Sequence, residues 1–186
     1  MQQLIDFINR YTDLDTESIQ ALKRNVEFET FSRNQFILNE GRTCNKVWFI
    51  KSGMVRKFHL FNGKEITTWI HLENEMFTSL GSYINSIPAT EYFQACENTA
   101  LISITKENSL KLSAFPQLAQ FSNNLLGDQL AKIDIMSAKF KTMTAAEKYK
   151  LLLSLSPELF KRAKLGYLAS VMGITQETLS RIRKQV

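Results

Sequence analysis

The chain has 186 residues, 44% of them hydrophobic and 22% charged, with only 3 Pro and 7 Gly. This suits one large globular domain or two small ones and excludes a disordered or low-complexity chain. No apolar run approaches the roughly 18 residues of a membrane span, and "MQQLIDFINRY" lacks the basic and apolar regions of a secretory signal. Cys44 and Cys96 make neither a disulfide framework nor a zinc or iron–sulfur set, so both are expected as plain structural residues in a cytoplasmic protein. Net charge is +5, yet residues 139–186 carry ten Lys/Arg against Glu147, Glu158 and Glu177, a net +7, which leaves −2 on the first 138 residues. A basic segment on a near-neutral body is the footprint of a polyanion binder or a solvated lysine-rich surface, and charge alone does not choose between them.

The first stretch reads as helical, with Leu4, Ile5, Ile8 and Tyr11, then Ile19, Leu22 and Val26, at helical spacing around a break at "TDLDT". From Phe28 the texture becomes that of strands: "QFILNEG", "KVWFIKSG" and "MVRKFHLFNGKEITTWIHL" alternate β-branched and aromatic residues with Gly and Asn. Asn62-Gly63 predicts a two-residue hairpin turn, because a primed turn needs positive φ at both positions. After it, Ile66, Thr68, Ile70 and Leu72 alternate with Thr67, Trp69 and His71, which is the periodicity of a half-buried strand. "EYFQACENTALISI" adds two strands around "EN". The sum is an antiparallel β unit of about 75 residues, of sandwich or barrel class.

Near Lys106 the helical period returns. Pro116 fits a first helical turn, and Leu118, Phe121, Leu125, Leu126, Leu130, Ile133, Met136 and Phe140 sustain an apolar stripe for about seven turns. Such a stripe is usually core packing, but a helix this long beside a small β unit is seldom covered on every side by its own chain, so a helix-to-helix dimer seam is the expectation, with Gly127 allowing close approach or a bend. Thr144 and Glu147 have capping-box spacing, Pro157 ends the helix that follows, and "SPELFKRAK" reads as a basic connection.

The last unit, "LGYLASVMGITQETLSRIRKQV", carries the strongest signal. From Leu165 a first helix buries Leu168 and Met172, with small Ala169 where two helices cross. Gly173 supplies the turn's positive φ, Ile174 plugs the angle, and Thr175 caps a second helix that buries Leu179 and Ile182. By subtraction Gln176, Glu177, Ser180, Arg181 and Lys184 form an outer stripe whose chemistry a DNA major groove can use. Gln pairs with adenine, Glu accepts from cytosine, and Arg forks onto guanine. Thr175 and Thr178 suit phosphate, and Arg183 and Lys184 add sequence-independent attraction. These seven positions (175, 176, 177, 178, 180, 181 and 184) are the expected DNA-binding set.

With these residues in view, the chain resembles the cyclic-AMP receptor protein / Fnr (Crp/Fnr) family of bacterial transcription regulators along nearly all of its length. "GITQETLSRIRK" is similar to that family's recognition helix, with Glu177, Thr178 and Arg181 at its Glu-Thr and Arg positions. "NQFILNEGRTCNKVWFIKSGMVRKFHLFNGKEI" is similar to its effector β-roll, with Gly41, Gly53 and Asn62-Gly63 in the turns. The resemblance implies an α+β fold: an N-terminal antiparallel β-roll, jelly-roll-like, with flanking helices (1–113), a long dimerisation helix (114–140) and a C-terminal helix-turn-helix (141–186). Only Lys184, Gln185 and Val186 follow Arg183, too few for the hairpin wing many members carry, so the head is expected to be wingless. Phosphate contacts would then come from the helix start and from the basic residues at Lys139–Lys150 and Lys161–Lys164. The implied partners are double-stranded DNA at successive major grooves and a second copy of the chain, with RNA polymerase a further candidate and no membrane.

The effector pocket departs from the family pattern. Thr78-Ser79 stands where a Gly-Glu pair takes ribose, and Ala89-Thr90 where an Arg-Ser pair takes phosphate; Tyr83 lies between. The carboxylate and the guanidinium are both absent, which predicts weak or no cyclic-AMP binding in the usual mode. A small effector, if any, has no assigned identity. His59 and His71 are expected as ordinary strand residues rather than haem or metal ligands, no cofactor is expected, and no catalytic pattern is evident. Three readings stand at this point: a DNA-binding regulator, a ligand-binding or protein-interaction signalling module with a vestigial DNA-binding end, and, least supported, an enzyme on a jelly-roll scaffold.

Overall fold

The structure is a computed structural model that describes residues 1–185; Val186, the last residue of the expected head, lies outside them. Two short helices open the chain, α1 (Gln2–Ile8) and α2 (Thr16–Arg24), the second capped by the Asp15 carboxylate accepting from the Ser18 N–H. Eight strands follow: β1 (Glu27–Phe31), β2 (Phe36–Leu38), β3 (Lys46–Ser52), β4 (Val55–Phe61), β5 (Lys64–His71), β6 (Met76–Phe77), then, after a short helix α3 (Leu80–Asn85), β7 (Tyr92–Ala95) and β8 (Thr99–Thr105). They form two antiparallel four-stranded sheets in the orders β1-β8-β3-β6 and β2-β7-β4-β5.

Strand β3 explains how the layers stack. Trp48 and Ile50 face inward, where they join Val55, Phe77, Phe93 and Leu101 between the sheets. Phe49 faces outward and is equally buried, against Leu4, Ile8 and Leu22 of the opening helices. Because both faces are covered, "VWFI" has no polar alternation.

The Asn62-Gly63 turn forms as expected, with φ of 49° and 74° between paired Phe61 and Lys64. Strict alternation in β5 does not hold. The register shifts at Thr68, which bulges between the Lys57–Trp69 and Phe58–Thr67 pairs. With that extra residue Thr67 and Ile70 are the buried residues of the strand and Ile66 is exposed; Ile70 is covered by the C-terminal helices, and His71 stacks on Phe77 between the sheets.

Helix α4 (Lys106–Leu112) leads to α5 (Pro116–Thr142), with Pro116 in its first turn. Its apolar stripe divides into three parts. Leu118 and Phe121 pack on the opening helices and Phe49, Met136 and Phe140 pack against the C-terminal helices, and Leu126, Leu130 and Ile133 between them are 51%, 66% and 61% exposed. Four helices remain: α6 (Ala145–Leu155), α7 (Pro157–Arg162), α8 (Leu165–Met172) and α9 (Gln176–Gln185). The Thr144–Glu147 capping box is complete at α6. The segment read as a connection is instead the helix α7: Pro157 both ends α6 and starts α7, where its missing N–H costs nothing.

Candidate nucleic-acid interface and effector roll

Helices α8 and α9 meet at Gly173, whose φ is 69°. Leu168, Ala169 and Met172 pack on Leu179 and Ile182, and Tyr149, Leu152, Leu159 and Phe160 of α6 and α7 complete that core. The Thr175 hydroxyl accepts from the Thr178 N–H at 3.2 Å, capping α9. Burying Leu179 and Ile182 turns the opposite stripe outward, where Gln176, Glu177, Arg181 and Lys184 are exposed and Ser180 is half-buried. Together with Leu165, these five line one shallow open groove. Thr175 and Thr178 lie apart from it, at the start of the helix. The Gln176 side chain rests on α8 at Gly166, where a Cβ would come within 2.4 Å of its amide nitrogen. The Glu177 carboxyl is held below its ordinary value by its own backbone N–H and by the Thr175 hydroxyl, so it is an anion at neutral pH. Lys148 is spent structurally, with Nζ 3.5 Å from the Met172 carbonyl oxygen.

This head is seated on the roll. Met54 and Ile70 of the roll belong to the same buried cluster as Leu168 and Met172. The Ser170 hydroxyl donates to the Thr67 carbonyl at 3.1 Å, using the backbone beside the bulge. Arg162 reaches back from α7 in a two-pronged contact with Glu73, both at 2.8 Å, and also donates to Glu97. Burial pushes the Glu73 carboxyl up, but the Arg162 hydrogen bonds and the Gly53 N–H outweigh it and hold the group below its ordinary value. The Arg56 guanidinium is sandwiched between Phe58 at 4.0 Å and Tyr167 at 4.2 Å. None of these contacts has a motif in the sequence, because Arg162 and Glu73 are 89 residues apart.

In the roll, the five expected pocket residues divide. Ala89 is buried in the core between the sheets, and Tyr83 packs against that core. The Thr78 hydroxyl donates to the Lys46 carbonyl at 2.9 Å and touches the Cys44 sulfur at 3.4 Å. Ser79 is buried, and Thr90 turns to a residue outside the expected set, Glu91. The Thr90 N–H and hydroxyl donate to Glu91 Oε2 at 3.2 and 3.0 Å, and Lys57 Nζ is 3.3 Å from Oε1. Burial pushes the Glu91 carboxyl up, but the Lys57 charge and the Thr90 hydrogen bond bring it below its ordinary value. His59 lies in β4 with Nδ1 2.9 Å from the Thr90 carbonyl oxygen. His71, at the end of β5, pairs with Glu75 at 3.0 Å. Burial pushes the Cys96 thiol up to about 11, which makes it a poor nucleophile. Among the described residues, no helix is long and apolar enough to cross a membrane.

A two-sheet antiparallel roll with flanking helices, a long helix and a terminal helix pair is the Crp-type fold. Comparison with known proteins agrees. Residues 28–114, from β1 through α4, match the family described as cyclic nucleotide-binding domain. Among solved structures, the chain is similar to the catabolite activator protein of Thermus thermophilus, at 22% identity over 92% of this chain and 83% of that one, with a TM-score of 0.56. It is similar to CLP of Xanthomonas campestris, described as a c-di-GMP-responsive global regulator, at 15% identity over 92% and 91%, with a TM-score of 0.69. A transcriptional regulator of the Crp/Fnr family from Eubacterium rectale gives 19% identity over 92% and 83%, with a TM-score of 0.67. No curated protein matches the chain. These neighbours are transcription regulators rather than enzymes, and at such identities the likeness establishes the shared fold.

Proposed function

We propose that the chain is a homodimeric, sequence-specific regulator of transcription that binds double-stranded DNA through α9. The observation that carries this reading is the open groove lined by Gln176, Glu177, Ser180, Arg181 and Lys184, which combines base-reading side chains with positive charge on the outward face of a helix anchored by Leu179 and Ile182. Thr175 and Thr178 at the helix start are the phosphate-side members of the set. Dimerisation is supported by the middle of α5, where Leu126, Leu130 and Ile133 are exposed although both ends of the same stripe are covered. A Cβ at Gly127 would meet nothing within 4 Å, so this chain's own packing does not require that glycine. In functional terms residues 1–113 form the effector roll, 114–140 the dimerisation helix and 141–186 the DNA-binding head, with RNA polymerase a candidate further partner.

Cyclic AMP in the usual mode is not the effector on this reading. Ala89 offers no cation, and the Thr90 hydroxyl and N–H are already committed to Glu91. Any effector would have to bind two head arrangements unequally to act at all. Titrating the full chain with mixed-sequence duplex DNA at about 50 and about 200 mM salt tests the reading. The expected result is two chains per duplex, with affinity falling steeply as salt rises. Absence of binding at the lower salt would remove the DNA-binding assignment and leave an interaction module.

A further inference from the structure

Glu91 is 6% exposed, and its carboxylate is the meeting point of donors from two separate parts of the roll. Lys57 comes from β4, and Thr90 supplies both its backbone N–H and its hydroxyl. These donors are fixed by other bonds. The Thr90 carbonyl is engaged by His59 at 2.9 Å, and the adjacent Ala89 is tied in both directions, accepting from the Gly41 N–H at 2.8 Å and donating to the Arg42 carbonyl at 3.0 Å. One ammonium, one hydroxyl and a backbone N–H converging on two oxygens form a charge-assisted oxyanion-binding site.

We infer that the roll contains an oxyanion site which the chain fills with its own Glu91 carboxylate, so that a free phosphate or carboxylate binds there only when Glu91 is removed. This inference does not depend on DNA binding and is tested without DNA.

The test is thermal unfolding of the full chain in potassium acetate, potassium phosphate or potassium chloride at matched ionic strength, with cyclic AMP as a fourth addition. Wild type is expected to respond as a protein with a filled site: general salt effects only, and no saturable rise with acetate, phosphate or cyclic AMP. Glu91→Ala is expected to melt lower in chloride and to recover saturably, by about 4 °C or more beyond the wild-type response, as acetate or phosphate occupies the vacated position. Glu91→Gln keeps the side-chain volume in place and controls for general stabilisation by phosphate; it is expected to show no such recovery. A Glu91→Ala protein that stays unfolded or unshifted in every anion overturns the inference. So does a saturable response in wild type, or one in Glu91→Gln equal to that of Glu91→Ala.

Discussion

Arg181 stands exposed on α9, one turn beyond Glu177, on a backbone held by buried Leu179 and Ile182. A guanidinium there can fork onto the O6 and N7 of one guanine, whereas Arg183, also exposed, offers charge alone. Arg181→Ala is therefore expected to cost about 1–3 kcal/mol and to relax preference at one base pair in each half-site. Competition binding against duplexes varied at that position measures it; equal weakening on every sequence would demote Arg181 to a phosphate contact. The residues that shape α9 were legible because their roles are local: the left-handed turn at Gly173, the Thr175 cap three residues before its donor, and the buried pair three apart. Glu91 was not legible. Lys57 faces it only through the β4–β7 pairing, so that partner lies within no local pattern.

At the scale of elements, α5 is the clearest case of a helix longer than its own chain can cover. The exposed run from Leu126 to Ile133 amounts to two turns of apolar surface, and a facing copy of the same stripe would remove it from water. Ile133→Glu places a charge in that seam and is expected to turn the dimer into a monomer by sedimentation, with the helical circular dichroism retained. A dimer that persists unchanged places the interface elsewhere. The stripe could be read from spacing, and so could the Asn62-Gly63 turn and the Thr144–Glu147 box. The Thr68 bulge could not, since "ITTWI" alternates correctly on paper and the extra residue exists only relative to its partner strand. Helix α7 was hidden for a related reason: Pro157 is a stop signal for one helix and a start signal for the next, and six residues leave little room for a period.

The whole molecule is tied together by the seating of the head on the roll. Met54 and Ile70 share a buried cluster with α8, and Arg162 closes the junction onto Glu73 and Glu97. Because the pair is partly open to solvent, Arg162→Ala is expected to cost on the order of 1–2 kcal/mol, read as a lower midpoint in urea. The pH dependence has a fixed sign. The Glu73 carboxyl, ordinarily at 4.5, lies lower in the folded chain, so the unfolded chain takes up its proton first. The stability the pair contributes is complete above about pH 4.5 and is lost as the pH falls through the folded value, and Arg162→Ala should remove that part of the acid sensitivity. A variant as acid-sensitive as wild type would show that the junction does not depend on this pair.

The central claim, that α9 of a dimer reads a DNA sequence, is tested most directly by selecting duplexes from a random-sequence pool with the full chain and determining what is enriched. The account expects a two-fold symmetric site with half-sites about one helical turn apart, bound at least about a thousandfold more tightly than unselected DNA. Retention of DNA with no enriched sequence, or enrichment of a single unpaired half-site by a monomer, would contradict it.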